Sequence, residues 1–147
     1  MTSGTSLTPE RRKQLLQAAE QAATHARAPY SRFRVGAAAL GASGEIHRGA
    51  NVEIGSYGLS TCAERVALAA AQTAGDPVVA LAIACVDAPL EATLDYRAPC
   101  GACRQWLLEL APEAEIFIAG DERTFRAADL LPHAFRFEPP AGPDAPT

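Results

Sequence analysis

Two short segments, Thr61-Cys62-Ala63-Glu64 and Pro99-Cys100-Gly101-Ala102-Cys103, constrain the fold of this chain more than any other feature. Together they carry three thiols and a carboxylic acid, the donor set that holds a zinc ion on three sides and leaves a fourth position to water. Three protein ligands with one open position mark a catalytic zinc, whereas four ligands mark a structural one. If the thiols share an ion, the fold must bring two distant segments to one point. Cys100 and Cys103 lie three positions apart at a predicted helix start, and Cys62 opens a second predicted helix. Helix N-termini favour the thiolate form that a metal needs. Glu64 is too close to Cys62 for a comfortable fourth ligand, but it can reach a metal-bound water.

The remaining pattern is that of one small domain. Thr8-Pro9 reads as an N-cap with proline at the first helical position. Leu15, Ala19, Ala22 and Ala26 recur at helical spacing, so this helix is expected to end near Ala28-Pro29. Residues 34–40 and 45–50 read as a hairpin around the turn Gly41 to Gly44. An alanine-rich helix runs from Cys62 to about Ala74. Val78 to Asp87 is a continuous apolar run, expected to be a strand buried on both faces. A loop through Arg97 leads to a helix from Pro99 to Leu110. Strands follow at Ile116 to Ala119 and Thr124 to Arg126, and a helical turn at Ala127 to Leu131. Helices alternating with buried strands predict an α/β fold, a three-layer αβα sandwich around a mixed five-stranded sheet. The domain is expected over 1–137, with a Pro-rich, disordered tail over 138–147.

Charge and composition exclude several classes of function. Of 147 residues, 13 are Lys or Arg and 17 Asp or Glu, a net charge of −4. Phosphate binding needs concentrated positive charge, so a nucleic acid partner is disfavoured. The chain lacks the roughly 18-residue apolar run of a membrane helix. It also begins without the apolar core of a secretory signal, which points to the cytoplasm. Thiols stay reduced there, favouring metal or catalysis over disulfides. Cys85, inside the apolar run, reads as a small buried hydrophobe. His25, His47 and His133 read as surface or packing residues, and Trp106 as a packing or interface residue.

Pro-Cys-x-x-Cys with a separate non-ligand glutamate is the signature of zinc deaminases. Further segments sharpen it: Tyr30 to Ala39, Asn51-Val52-Glu53, Ser56 to Leu59, Cys62 to Arg65, Pro99 to Gln105 and Leu130 to Phe135. Over nearly all of Leu7 to Phe137 the chain closely resembles the short-chain cytidine deaminases. The resemblance implies Zn²⁺ bound by Cys62, Cys100 and Cys103, with Glu64 as proton shuttle. It further implies that Asn51 and Glu53 hold the ribose hydroxyls and that Phe33 packs near the pyrimidine. The Ala63 N–H would meet the 2-oxo group, and the Ala98 carbonyl would face the leaving amine. Tyr57 and Phe135 match positions that complete a neighbouring subunit's site, implying a homotetramer. Ile54-Gly55 departs from the family's usual Asn-Ala, placing an apolar side chain in the sugar-side loop.

The implied reaction is hydrolytic deamination of cytidine and deoxycytidine, with release of ammonia. Three thiolates would leave Zn²⁺ with a net charge of −1, so Arg65 and Arg104 are expected to donate hydrogen bonds to sulfur and restore Lewis acidity. Three alternatives stand beside this reading. One is a deaminase of a related nucleoside analogue, such as a nucleoside antibiotic. Another is a zinc-stabilised scaffold with four protein ligands. The third, a polynucleotide deaminase, is disfavoured by the acidic balance.

Overall fold

A computed structural model describes residues 6–139 and Gly142. Of the predicted tail, only residues 138, 139 and 142 fall within that range; the rest lies outside the described residues. The first helix, α1, spans Pro9–Ala23. It starts as predicted, with the Thr8 hydroxyl accepting a hydrogen bond from the Arg11 N–H at 3.2 Å. It ends about five residues before the expected Ala28-Pro29. Arg27 instead exchanges backbone hydrogen bonds with Asn51 and Glu53, a bridge incompatible with helix.

Strands β1 (Val35–Gly41) and β2 (Ile46–Ala50) form the predicted antiparallel hairpin. A single 3₁₀ turn at Tyr57–Leu59 precedes α2 (Ala63–Thr73), with Cys62 at its N-cap. Strand β3 (Val78–Cys85) stops two residues before Asp87. The Asp87 carboxylate turns away to pair with the guanidinium and backbone N–H of Arg34. The segment expected as plain loop contains a one-turn helix, α3 (Leu94–Arg97), too short to leave a periodic signature. Helix α4 (Gly101–Leu110) begins two residues after Pro99, with Cys100 at its N-cap. Then come β4 (Glu115–Ile118), β5 (Thr124–Phe125) and α5 (Ala127–Leu130).

The sheet order is β2-β1-β3-β4-β5, mixed, with β3 and β4 its parallel pair. Side chains alternate between two cores with period two. Ala38, Leu40, Ala80, Ala82 and Ala84 pack with Leu15, Ala18 and Ala19 of α1. Ala37, Ala39, Leu81 and Ile83 pack with Leu68 of α2 and Leu107 of α4 on the opposite face. These two faces make the αβα sandwich. Each fully buried Leu or Ile, such as Leu81 or Ile83, contributes about 1.5–3 kcal/mol of transfer free energy.

Glycine sets how closely the helices approach. A Cβ at Gly36 would lie 1.8 Å from the carbonyl oxygen of Ala19, so α1 rests directly on β1. A Cβ at Gly49 would lie 2.3 Å from the carbonyl oxygen of Ala63, so the first turn of α2 rests on β2 in the same way. That second contact fixes the height at which Cys62 and Glu64 emerge. The parallel β3–β4 connection runs through α3 and α4, and it brings Cys100 and Cys103 to the same end of the sheet.

Candidate metal centre and substrate cavity

The two thiol segments meet at the N-termini of α2 and α4. Cys62 Sγ lies 3.7 Å from Cys100 Sγ, and Cys100 Sγ lies 3.5 Å from Cys103 Sγ. Tetrahedral zinc with Zn–S bonds of about 2.3 Å separates its sulfurs by about 3.8 Å, so the donor set and spacing fit that ion. Cys85 is outside this three-sulfur group, and its thiol donates to the carbonyl of Arg97 at 3.6 Å. A four-cysteine structural site is therefore not what the chain assembles. The thiols are electrostatically unequal. Cys62 is held down at about 5, first by its hydrogen bond with Cys103, with the Arg65 guanidinium adding to the effect. Cys103 is pushed upward by the same hydrogen bond and by burial.

Glu64 follows in the first turn of α2 and is only 5% exposed. Burial, reinforced by negative charge at Cys62, raises its pKa from 4.5 to about 7. A carboxyl group poised there can both accept and return a proton near neutral pH. Arg65 donates to Cys62 Sγ at 3.6 Å, one helical turn from its own position. Its Nε is buried with no hydrogen-bond partner among the described residues.

Arg104 departs from expectation. Its guanidinium donates to the carbonyls of Pro99, at 2.7 Å, and Leu130, at 2.8 Å, rather than to sulfur. Leu130 ends α5, where carbonyls lack intrahelical partners, and Arg104 supplies the missing donor.

A cavity of about 490 Å³ opens beside the sulfurs. Cys62, Ala63, Glu64, Ala98 and Cys100 line its inner end; Phe33, Asn51, Glu53 and Tyr57 line the remainder. All of the predicted substrate contacts except Phe135 thus reach one cavity. Phe135 is 71% exposed, and its backbone carbonyl accepts from Gln105 of α4. Tyr57, expected at a neighbour's site, faces the cavity of its own chain and donates to Glu53 at 3.3 Å.

Glu53 is the polar hub of the outer end. It accepts hydrogen bonds from the backbone N–H groups of Tyr30 and Ser31, both at 3.1 Å, and from the Ser31 hydroxyl. The Ser31 hydroxyl is the foremost reason its pKa lies below the usual carboxylate value. The turn presenting these donors places Arg32 at φ 56°, a left-handed conformation that costs a non-glycine residue about 1 kcal/mol or more. Asn51 donates to the Phe33 carbonyl and accepts from the Val35 N–H, both at 2.8 Å. One amide N–H of Asn51 remains for a ligand.

Ser31, Cys85 and Tyr96 also line the cavity; Cys85, expected as a small buried hydrophobe, is only half-buried, and the sequence assigns no role to Ser31 or Tyr96. Ser31 lies inside the Tyr30 to Ala39 segment, so its proximity to Phe33 was the available signal. Tyr96 meets Phe33 edge to face, with ring centroids 5.6 Å apart, and nothing in its local sequence marks it.

The fold and this centre define a zinc-dependent deaminase, and the chain belongs to that class: residues 9–119 match the cytidine and deoxycytidylate deaminase zinc-binding region. Within the class its similarity is to cytidine deaminases. It is 42% identical to that of Halalkalibacterium halodurans over 133 residues, covering 86% of this chain and 96% of the relative. It is 47% identical to that of Mycobacterium tuberculosis over 117 residues, covering 80% and 84%. The crystal structure of the Burkholderia pseudomallei cytidine deaminase superposes with a TM-score of 0.74 at 42% identity, covering 88% of this chain and all of that one.

Proposed function

We propose that this chain hydrolyses cytidine and deoxycytidine to uridine and deoxyuridine with release of ammonia, a reaction of pyrimidine salvage. The observation that carries the reading is a single one. A buried carboxyl group with its pKa raised to about 7 shares one cavity with Cys62 and Cys100, two of the three clustered sulfurs, and with a tethered carboxylate, Glu53. Cys62, Cys100 and Cys103 would hold the zinc, which when bound acts as a Lewis acid and lowers the pKa of water toward neutrality.

The chain's own groups do the rest. Asn51 and Glu53 hold the sugar hydroxyls, Glu53 as an acceptor already fixed by Ser31. Phe33 packs on the pyrimidine, and the Ala63 N–H at the start of α2 meets the 2-oxo group. Glu64 takes a proton from the attacking water and gives it to ring N3, making C4 electrophilic. Glu64 then carries a proton to the amine, which departs as ammonia, its N–H groups facing the Ala98 carbonyl. Arg65 draws charge from Cys62, whereas Arg104 holds the Pro99 and Leu130 carbonyls in place.

The wider setting belongs to the same proposal. The 1–137 segment acts as one deaminase unit in the cytoplasm and assembles as a homotetramer, with Phe135 reaching a neighbouring site. Support for assembly comes from the exposed Phe135 and from Trp106 and Leu110, which line an apolar groove between α2 and α4. The deciding experiment offers purified protein cytidine, deoxycytidine and free cytosine and measures ammonia. Turnover of both nucleosides with little of the free base is expected. Equal turnover of cytosine would remove the role given to Asn51 and Glu53, and no turnover of any would refute the activity.

A further inference from the structure

Arg97 is 8% exposed and has no carboxylate partner among the described residues, an expensive way to place a guanidinium. Its charge is met entirely by backbone carbonyls. Nη2 donates to Pro89 at 2.6 Å and Leu90 at 3.2 Å, Nε to Ala92 at 3.4 Å, and Nη1 to Ala119 at 3.1 Å. Three of these carbonyls belong to the loop after β3, and the fourth directly follows β4. Gly120 makes room for the group: a Cβ there would lie 2.6 Å from Nη1, and its φ of +91° suits glycine alone. The Arg97 carbonyl is anchored as well, accepting from the Cys85 thiol at the end of β3. One residue thus ties the carboxyl ends of both parallel strands to the loop between them, the region where open α/β sheets place their ligands.

The neighbours of Arg97 give this clamp a purpose. Tyr96 and Ala98 both line the cavity, Tyr96 edge-on to Phe33 and Ala98 beside Cys100. Helix α3 has only four residues; Leu94 packs on the core in part, and Arg97 is its one buried side chain. We infer that Arg97 is a positioning residue for the deamination: by binding four loop carbonyls it holds Tyr96 against the aromatic wall and the Ala98 carbonyl at the reacting end of the cavity. Arg97 touches no reacting atom itself. Misplacement by about 1 Å is enough to cost roughly 100-fold in rate. This inference rests on the deaminase reading above.

The test compares the wild type with Arg97→Met and Arg97→Lys, each loaded with zinc and checked for metal content. Methionine keeps the bulk and removes the donors; lysine keeps the charge but cannot reach four carbonyls at once. Arg97→Met is expected to raise KM for cytidine at least about fivefold and lower kcat/KM about 10–100-fold, with Arg97→Lys in between. Amide hydrogen exchange over residues 88–98 should quicken at least about tenfold in both variants, while α2 and α4 are unchanged. Loss of active fraction alone would lower kcat and leave KM where it was, and that result overturns the inference. So does unchanged exchange over 88–98. Should Arg97→Met fail to fold, Arg97→Lys decides by the same two readouts. A wild type that releases no ammonia removes the reading beneath the inference, and the exchange contrast then reports separately on the clamp.

Discussion

Glu64 stands where burial and a neighbouring thiolate both resist ionisation, and its backbone position in the first turn of α2 allows it no escape into solvent. Replacing it by Gln keeps the shape and removes the proton carrier. Glu64→Gln should retain zinc, measured by metal analysis, and lose at least about 10²-fold in kcat. An active Glu64→Gln enzyme would move the proton transfer to another group. At this scale the cysteines and Glu64 were legible because helix starts and spacing fix where such side chains emerge. Arg65 was legible for the same reason, lying one turn from Cys62. Arg104 was not. Adjacency to Cys103 carries no information about the orphan carbonyl at the end of α5, a contact formed only when distant elements dock. Tyr96 and the clamp on Arg97 were hidden by the same non-locality.

Between elements, the decisive contacts involve glycine and one buried carboxylate. Gly49→Ala would drive a methyl group into the first turn of α2. A loss of about 1–3 kcal/mol is expected, read by denaturant unfolding; an undisturbed midpoint would mean that α2 can ride higher on β2. Asp76, just past the end of α2, accepts hydrogen bonds from the Ser43 N–H at 3.0 Å and hydroxyl at 2.6 Å, and lies 2.8 Å from His47 Nε2. It thereby ties the β1–β2 turn to the helix. These contacts, His47 foremost, lower its pKa from 3.8 to about 2. A depressed folded value means that the stabilisation is complete above the unfolded pKa of 3.8 and fades as pH falls toward about 2. Melting curves should show wild type above Asp76→Asn at pH 6, the gap closing across that acid window. A gap independent of pH would rule out the carboxylate as its source. The hairpin, α2, β3 and α4 were readable from turn residues and apolar runs. The early end of α1 was not, because the Arg27 bridge to Asn51 and Glu53 overrides a helical pattern that continues through Ala26.

For the molecule as a whole, zinc joins two segments that otherwise meet only through packing. A ligand that binds only the folded state stabilises it by about 2.7 kcal/mol at 100 times its dissociation constant. Chelation should therefore lower the melting temperature, and added zinc should restore it; indifference to chelator would argue against a metal held by these sulfurs. The three-layer architecture was legible because alternation of helix and buried strand leaves few ways to cover both faces of a sheet. The sheet itself is unusual in what lines it. Every central β1–β3 pair includes a glycine or an alanine: Gly36 sits opposite Ala84, Ala37 opposite Ile83, Ala38 opposite Ala82, Ala39 opposite Leu81 and Leu40 opposite Ala80. Alanine is a poor strand former, and a lone methyl group offers its cross-strand partner little to pack on. The central strands gain their cohesion from the helices pressed on either side, so the β1–β3 ladder owes its persistence to docked helices more than to contacts between its own side chains.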